Sequence, residues 1–122
     1  MQPFSVVVFQ SDPRIAQHLA ASLADQFQSV HQAHSVGEMR TAIPRYRAHV
    51  AILDVEASGF SDVERLHREF PNVSIVCTHR VADEEMWSEA LNAGASDMCP
   101  ACDTKGILVS AVRSATQTRV AA

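Results

Sequence analysis

The residues with the clearest chemical potential are Cys99 and Cys102, which form a Cys-Pro-Ala-Cys motif. Thiol redox sites use this spacing at the start of a helix, because the helix dipole lowers the thiol pKa. Cys77 and His79 could add ligands for a metal ion, although a structural zinc site requires four ligands in a closed geometry. Cysteines also fill small buried spaces at strand ends. The motif therefore leaves a redox site, a metal site and simple packing open.

Other catalytic patterns and several classes of partner are disfavoured by the sequence. The six histidines are scattered, and the four glycines form no phosphate-binding loop. The net charge of −4 argues against direct nucleic-acid binding, and no apolar run is long enough to span a membrane. The N-terminus lacks a secretory signal pattern. We therefore expect a single cytoplasmic domain over residues 1–122 that is not an enzyme.

Two kinds of segment alternate along the chain and must position these residues. Short β-branched apolar runs predict buried parallel strands, and amphipathic patterns between and after them predict five helices. The predicted strands are Ser5–Phe9, Ser29–Ala33, His49–Leu53, Val73–Cys77 and Asp97–Cys99. Helix ends are indicated by the N-cap Asp12, by Ser35 and by the C-cap Gly94, and the third helix is expected to start at Ser61. Five βα units with short connections favour a parallel sheet covered by helices on both faces.

In such a sheet, the functional crevice lies at the carboxyl ends of the strands. The residues directly after the strands are therefore the candidates for a site. These residues are Gln10 to Asp12, Asp54 to Glu56, Thr78 to Arg80 and Cys99 to Cys102.

The order and spacing of these blocks resemble the receiver domains of two-component response regulators, the CheY-like family. The resemblance covers essentially the whole chain. It rests on Val8-Phe9-Gln10-Ser11-Asp12-Pro13, Ala51-Ile52-Leu53-Asp54, Ile75-Val76-Cys77-Thr78 and Ala90-Leu91-Asn92-Ala93-Gly94-Ala95 followed by Asp97-Met98. It implies a doubly wound, flavodoxin-like (βα)5 α/β fold with strand order 2-1-3-4-5, and a role in phosphorelay signal transduction.

The resemblance also implies a phosphoryl pocket, whose acidic part is largely missing here. Asp54 occupies the position of the phosphoacceptor aspartate after the third strand. Two acidic residues after the first strand hold Mg²⁺ in the family, because a dianion approaches a carboxylate only beside a cation. Gln10 and Ser11 occupy those two positions. Asp12 follows, and together with Asp54 it could hold a weak Mg²⁺, although it better fits the N-cap of the first helix.

The remaining parts of the implied pocket are one hydroxyl and one lysine. Thr78 fits the hydroxyl position after the fourth strand if the following loop is one residue longer than in the family. If the loop has the usual length, His79 occupies this position instead. The lysine position is filled by Ala101. The only lysine, Lys105, lies about one turn further into the last helix and is expected to point elsewhere.

The charge balance of this pocket therefore argues against ordinary phosphorylation. Glu56 adds a negative charge where the phosphoryl group would sit. Asp54 could be a working phosphoacceptor, a relic or a structural acid at a strand end. Our leading prediction is an atypical receiver, a pseudo-receiver that acts through protein–protein contacts. The alternatives are a functional phosphoacceptor with an unconventional Mg²⁺ site and a thiol redox or metal sensor built on Cys99 and Cys102.

The resemblance also implies an interaction surface. In receivers, the fourth helix, the fifth strand and the fifth helix form the face for output and dimerisation. Met86, Trp87, Glu89 and Arg113 are the expected contributors here. Trp87 would mark a partner site if exposed, because aromatic side chains are enriched at interface hot spots. The implied partners are a histidine kinase, an output protein or a second copy bound through this face.

Overall fold

A computed structural model describes residues 2–121, with side chains described from residue 3 to residue 117. Met1 and Ala122 of the predicted domain lie outside the described residues. The strands are β1 (Gln2–Phe9), β2 (Phe27–Ala33), β3 (Val50–Asp54), β4 (Ser74–His79) and β5 (Asp97–Pro100). The helices are α1 (Pro13–Ala24), α2 (Val36–Arg45), α3 (Val55–Ser58), α4 (Phe60–Glu69), α5 (Glu84–Ala93) and α6 (Thr104–Ala121). Within the described chain, no helix combines the length and apolarity needed to cross a membrane.

The five strands form one parallel sheet in the order β2-β1-β3-β4-β5, which confirms the predicted fold. β3 lies at its centre and is buried along its whole length. Helices cover both faces of β3, and its sequence is therefore apolar at every position up to Asp54. The register places Asp54 beside Thr78 at the end of β4, so the predicted crevice residues meet at one edge.

Each face of the sheet has its own apolar core. On one face, α2, α4 and α5 bury side chains that include Met39, Leu66 and Ala90. On the other face, α1 and α6 bury side chains that include Leu19 and Ile107. The four- and three-residue spacing of these apolar positions is the helical pattern in the sequence. The two cores fix the sheet rigidly beneath the loops that carry the site.

The structure contains one helix that the sequence pattern did not predict. The four-residue α3 follows β3 directly, and the Asp54 side chain caps it by accepting a hydrogen bond from the Glu56 amide. Gly59, with φ of 99°, separates α3 from α4, which begins at Phe60 and not at Ser61. A helix this short shows no apolar period, so only its cap could indicate it. It holds Glu56 beside the crevice.

Gly94 is required by both its conformation and its surroundings. It ends α5 in the left-handed region at φ of 111°, and a Cβ there would lie 2.6 Å from the His67 ring. We expect Gly94→Ala to lower the free energy of unfolding by at least about 1 kcal/mol. Gly37→Ala is the matched control, because its nearest neighbour would be Ser35 Oγ at 3.8 Å. This helical substitution should be neutral or stabilising by up to about 1 kcal/mol. Urea denaturation of both variants tests this, and equal effects would contradict it.

Candidate functional site

A pocket of about 310 Å³ lies at the carboxyl ends of the strands. It brings together six of the seven residues that the sequence analysis placed in a phosphoryl pocket, and the seventh, Thr78, adjoins it. The lining residues are Gln10, Ser11, Asp12, Ile15, Asp54, Glu56, Ala57, Arg80 and Ala101.

Asp54 is the buried centre of this pocket, with 3% of its surface exposed. The Ser11 hydroxyl donates a hydrogen bond to Asp54 Oδ2 at 2.5 Å, and the Ser11 amide donates to the same oxygen at 3.1 Å. The Glu56 amide donates to Asp54 Oδ1 at 3.1 Å. Both carboxylate oxygens are therefore engaged by donors from the protein itself. Such bonds to a charged acceptor are stronger than neutral ones.

Gln10 links the first loop to the end of β4. Its side-chain carbonyl accepts from the Asp12 amide at 3.1 Å, and its amide nitrogen donates to Thr78 Oγ1 at 3.5 Å. Thr78 is fully buried and touches the site through this bond. Asp12 Oδ1 accepts from the Arg14 amide at 2.9 Å, so this carboxylate serves as the N-cap of α1. The side chains of Gln10, Ser11 and Asp12 thus each form a hydrogen bond within the fold.

Glu56 and Arg80 form an ion pair across the mouth of the pocket. Arg80 Nε lies 2.5 Å from Glu56 Oε2, and the Arg80 amide donates to Glu56 Oε1 at 3.2 Å. The pKa of Glu56 is held below its ordinary value, first by this backbone hydrogen bond and then by the Arg80 guanidinium, although partial desolvation opposes the shift. Among the described residues that line the pocket, Arg80 is the only cation, and a neighbouring carboxylate neutralises it.

The position implied for a lysine offers no cation. Ala101 is buried and lines the pocket, and its amide donates to the His79 carbonyl at 3.0 Å. Lys105 is not among the lining residues, and it borders a separate groove with Leu108 and Val112 of α6. This agrees with the expectation that Lys105 points away from Asp54.

The residues of the pocket do not fit a Mg²⁺ ion. The ion prefers octahedral oxygen coordination with one or two carboxylates. Asp54 already accepts three hydrogen bonds, and Asp12, the other carboxylate expected to hold the ion, caps a helix. Among the described residues, no cluster of three or more His, Cys, Asp or Glu side chains could hold a metal ion.

The three cysteines do not lie together, as a shared thiol site would require. Cys77 pairs in register with Met98 and packs in the core with α4, whereas Cys99 packs in the core with α1 on the opposite face. Burial raises the pKa of Cys77 to about 12 and that of Cys99 to about 11. A raised pKa lowers the thiolate fraction, which is the reactive form. Cys102 is exposed, and all three thiols are free.

The expected interaction surface has a centre that the sequence analysis missed. Trp87 is 46% exposed, and its indole nitrogen donates to Asp97 Oδ1 at 3.3 Å. Arg113 lies 3.3 Å from Asp97 Oδ2, and the Ser110 hydroxyl donates to the same oxygen at 2.6 Å. Asp97, the first residue of β5, thus orients side chains from α5 and α6.

The other two residues of the expected surface differ in exposure. Glu89 is exposed on α5. Met86 is only partly exposed and packs against the core with α4, so only part of its side chain is available to a partner. The spacing of apolar residues in α5 did not predict whether Met86 faces the core or the solvent.

Arg80 was named among the residues after β4 but was not assigned to the pocket. Its position follows from the register between β3 and β4, which the sequence alone does not give. Because Asp54 pairs in register with Thr78, the residues two positions further on, Glu56 and Arg80, leave adjacent strands at equal offsets. An acid and a base at equal offsets on neighbouring strands are placed to form an ion pair.

Comparison with known proteins supports the fold. No family model matches the sequence, and no curated protein sequence matches it significantly. Solved structures match it closely. The CheY-like receiver domain protein of Methanospirillum hungatei JF-1 superimposes with a TM-score of 0.84 at 19% identity, covering 99% of this chain and 100% of that chain. The receiver domain of Francisella response regulator 1452 gives 0.83 at 18% identity, covering 94% of this chain and 98% of that chain.

A third similar structure is a longer protein. NtrX of Brucella abortus, in complex with ADP, gives a TM-score of 0.87 at 16% identity. The match covers 98% of this chain but only 28% of the NtrX chain. At these identities the similarity establishes the fold, which is that of a response regulator receiver domain.

The hydrogen bonds of Asp54 predict a structural contribution from this residue. Asp54→Ala leaves the Ser11 hydroxyl, the Ser11 amide and the Glu56 amide without their acceptor, so it should lower the free energy of unfolding by about 1–3 kcal/mol. Asp54→Asn retains one oxygen acceptor and should lower it less. Denaturant titration of the three proteins measures this. A stabilising effect of Asp54→Ala would contradict the prediction, because it would show that the carboxylate is strained or repelled.

Exposure predicts that the three thiols differ in reactivity. In the folded protein near neutral pH, a chromogenic disulfide should label Cys102 promptly, while Cys77 and Cys99 should react only on unfolding. Cys102→Ser should remove the fast phase, whereas Cys99→Ser should leave it unchanged. Rapid formation of a Cys99–Cys102 disulfide under mild oxidant would instead favour the thiol sensor.

Proposed function

We propose that this chain is an atypical receiver module of two-component signalling that acts through protein–protein contacts, without phosphorylation of Asp54 and without enzymatic activity. The observation that carries the proposal is the state of the Asp54 carboxylate. Its two oxygens accept three hydrogen bonds from Ser11 and Glu56. These bonds use both lone pairs of Oδ2 and one of Oδ1, so a phosphoryl donor would have to use the remaining lone pair of Oδ1 or displace a bond.

The charges of the pocket support the same proposal. Transfer of a phosphoryl group requires cations that neutralise the charge on its oxygens. Arg80 is the cation among the lining residues, and it is paired with Glu56. Ala101 supplies no ammonium group, and a charge-assisted hydrogen bond of that kind contributes about 1.5–3 kcal/mol. A phosphorylated Asp54 would therefore be poorly compensated, with the Glu56 carboxylate beside it.

The surface centred on Asp97 is the proposed site of signalling contacts. Trp87 and Arg113 are exposed yet oriented by hydrogen bonds, which reduces the side-chain entropy lost when a partner binds. An exposed tryptophan beside an arginine has the composition of an interface hot spot. The proposed partners are a histidine kinase or an output protein in the cytoplasm.

The proposal is tested by titrating Mg²⁺ and beryllofluoride, a phosphoryl mimic, into isotopically labelled protein. The amide signals of Asp54, Thr78 and Trp87 should remain unshifted at saturating concentrations, because the pocket holds neither ion. Incubation with a small phosphodonor and Mg²⁺ should likewise add no mass. Mg²⁺-dependent shifts that spread from Asp54 to α5 would overturn the proposal in favour of a functional phosphoacceptor.

A variant that restores the missing groups provides the positive control. Gln10→Glu, Ser11→Asp and Ala101→Lys together supply two carboxylates and one ammonium group around Asp54. We expect this triple variant to bind Mg²⁺ and beryllofluoride, with shifts at Asp54 and Thr78. The same variant carrying Asp54→Asn should lose the response. Binding by the parent chain as strong as by the triple variant would show that these three positions do not limit phosphorylation.

A further inference from the structure

The last helix, α6, carries apolar side chains on its outer side as well as on the side that faces the core. Ile107 and Ala111 are fully buried and supply the core contact. Leu108 and Val112 are only partly buried against the same core. Val109 is 55% exposed. The core therefore accounts for the inner side of α6, but it does not account for Val109.

These outer side chains lie in a groove of about 480 Å³ that runs along α6. Its other lining residues are Lys105, Arg113 and Gln26, the last of which lies between α1 and β2. Lys105, Val109 and Val112 follow one another at spacings of four and three residues. This is the spacing that places side chains along the seam between two packed helices. The groove therefore suits a second helix that lies alongside α6.

The groove is positively charged, although the chain as a whole has a net charge of −4. Lys105 and Arg113 are its charged residues, and no Asp or Glu is among the described residues that line it. Lys105 forms no ion pair with the described residues, and Arg113 has one, with Asp97 at 3.3 Å. The two cations are eight residues apart, which is about 12 Å along a helix. They therefore stand at the two ends of the apolar strip.

We propose that this groove binds an amphipathic, acidic helix of a partner protein. The apolar side of that helix would pack on Val109 and Val112, in the manner of other helix-in-groove complexes. Two carboxylates, seven or eight residues apart on the partner, would lie beside Lys105 and Arg113. These partner carboxylates would supply the negative charge that the groove itself lacks.

Charge also distinguishes this occupant from two others. A second copy bound groove to groove would bring together four cations and no acid from either groove, and like charges at an interface oppose association. An anionic membrane surface would gain only about 1 kcal/mol from each of the two cations. An acidic helix can satisfy both the apolar strip and the cations at its ends.

This contact goes beyond the proposed function and can be tested apart from it. Trp87 and Asp97, which form the proposed signalling surface, do not line the groove, and neither does Asp54. Arg113 belongs to both surfaces. Variants at Val109 and Lys105 therefore test the groove alone, and Trp87→Ala tests the signalling surface alone.

Two synthetic helical peptides of about three heptads provide the probe. Both carry leucines at alternating spacings of three and four residues, flanked by glutamates in one peptide and by lysines in the other. By fluorescence anisotropy at low salt, the whole chain should bind the glutamate peptide with a Kd below about 1 mM, at least about tenfold more tightly than the lysine peptide. In isotopically labelled protein, the amide signals of Val109 and Val112 should shift, while that of Asp54 should not. Equal affinity for both peptides, or no binding at millimolar concentration, overturns the proposal.

Substitution of Val109 tests whether the apolar strip is the contact. Val109→Asp should raise the Kd for the glutamate peptide at least about tenfold, because it places a carboxylate in the apolar contact. Val81→Asp is the matched control, because Val81 is also an exposed valine, at 60%, and lies outside the groove. Trp87→Ala should likewise leave the Kd unchanged. Equal effects of Val109→Asp and Val81→Asp contradict the proposal, as does a dimer of the parent chain that Val109→Asp dissociates, which would assign the groove to a second copy.

Charge reversal at Lys105 tests the sign of the partner and alters only an exposed side chain. Lys105→Glu should raise the Kd for the glutamate peptide about three- to tenfold and lower it for the lysine peptide by a similar factor. Arg65→Glu makes the same change in net charge at an exposed position of α4 and should alter both values little. If Arg65→Glu weakens binding as much as Lys105→Glu does, the effect comes from net charge and the groove is not the site.

Discussion

The hydrogen bond from the Ser11 hydroxyl to Asp54 organises the whole candidate site. It joins the end of β3 to the loop after β1, and the Ser11 amide strengthens the same contact. With Oδ2 held in this way, Oδ1 is free to cap α3 through the Glu56 amide. The capped helix in turn carries Glu56 to Arg80. A single buried carboxylate thus fixes the relative positions of three loops.

In the resulting pocket, the charged and polar side chains are largely paired with one another. A dianionic ligand binds where positive charge is available and where donors point into open space. Here the donors of Ser11 point at Asp54, and the guanidinium of Arg80 is engaged by Glu56. The pocket brings together the residues that the resemblance assigned to a phosphoryl pocket, and the charges of Arg80 and Glu56 at its mouth balance each other. The pocket therefore has the expected residues in place but offers little unpaired positive charge to an anionic ligand.

The sequence was sufficient for the fold because its signals were long and repeated. Continuous apolar runs such as Val50 to Leu53 predicted the strands, and caps such as Asp12 and Gly94 predicted the helix ends. The four-residue α3 carried no such period. The contacts of Arg80 and Asp97 also escaped prediction, because they depend on side-chain directions in loops and at strand ends. Placing Cys77 and Cys99 on opposite faces required the register of β4 and β5, which spacing along the chain does not supply.

The two edges of the sheet are protected in different ways. A parallel sheet with helices on both faces must end in two edges, and each edge must be short, covered or paired. At β5, Asp97 uses its carboxylate to order α5 and α6 around a short strand. At β2, the strand is longer and carries no Lys, Arg, Asp or Glu, and Tyr46, the residue after α2, stacks on its His31. The two edges are thus covered by different means, a carboxylate network at β5 and a stacked aromatic pair at β2.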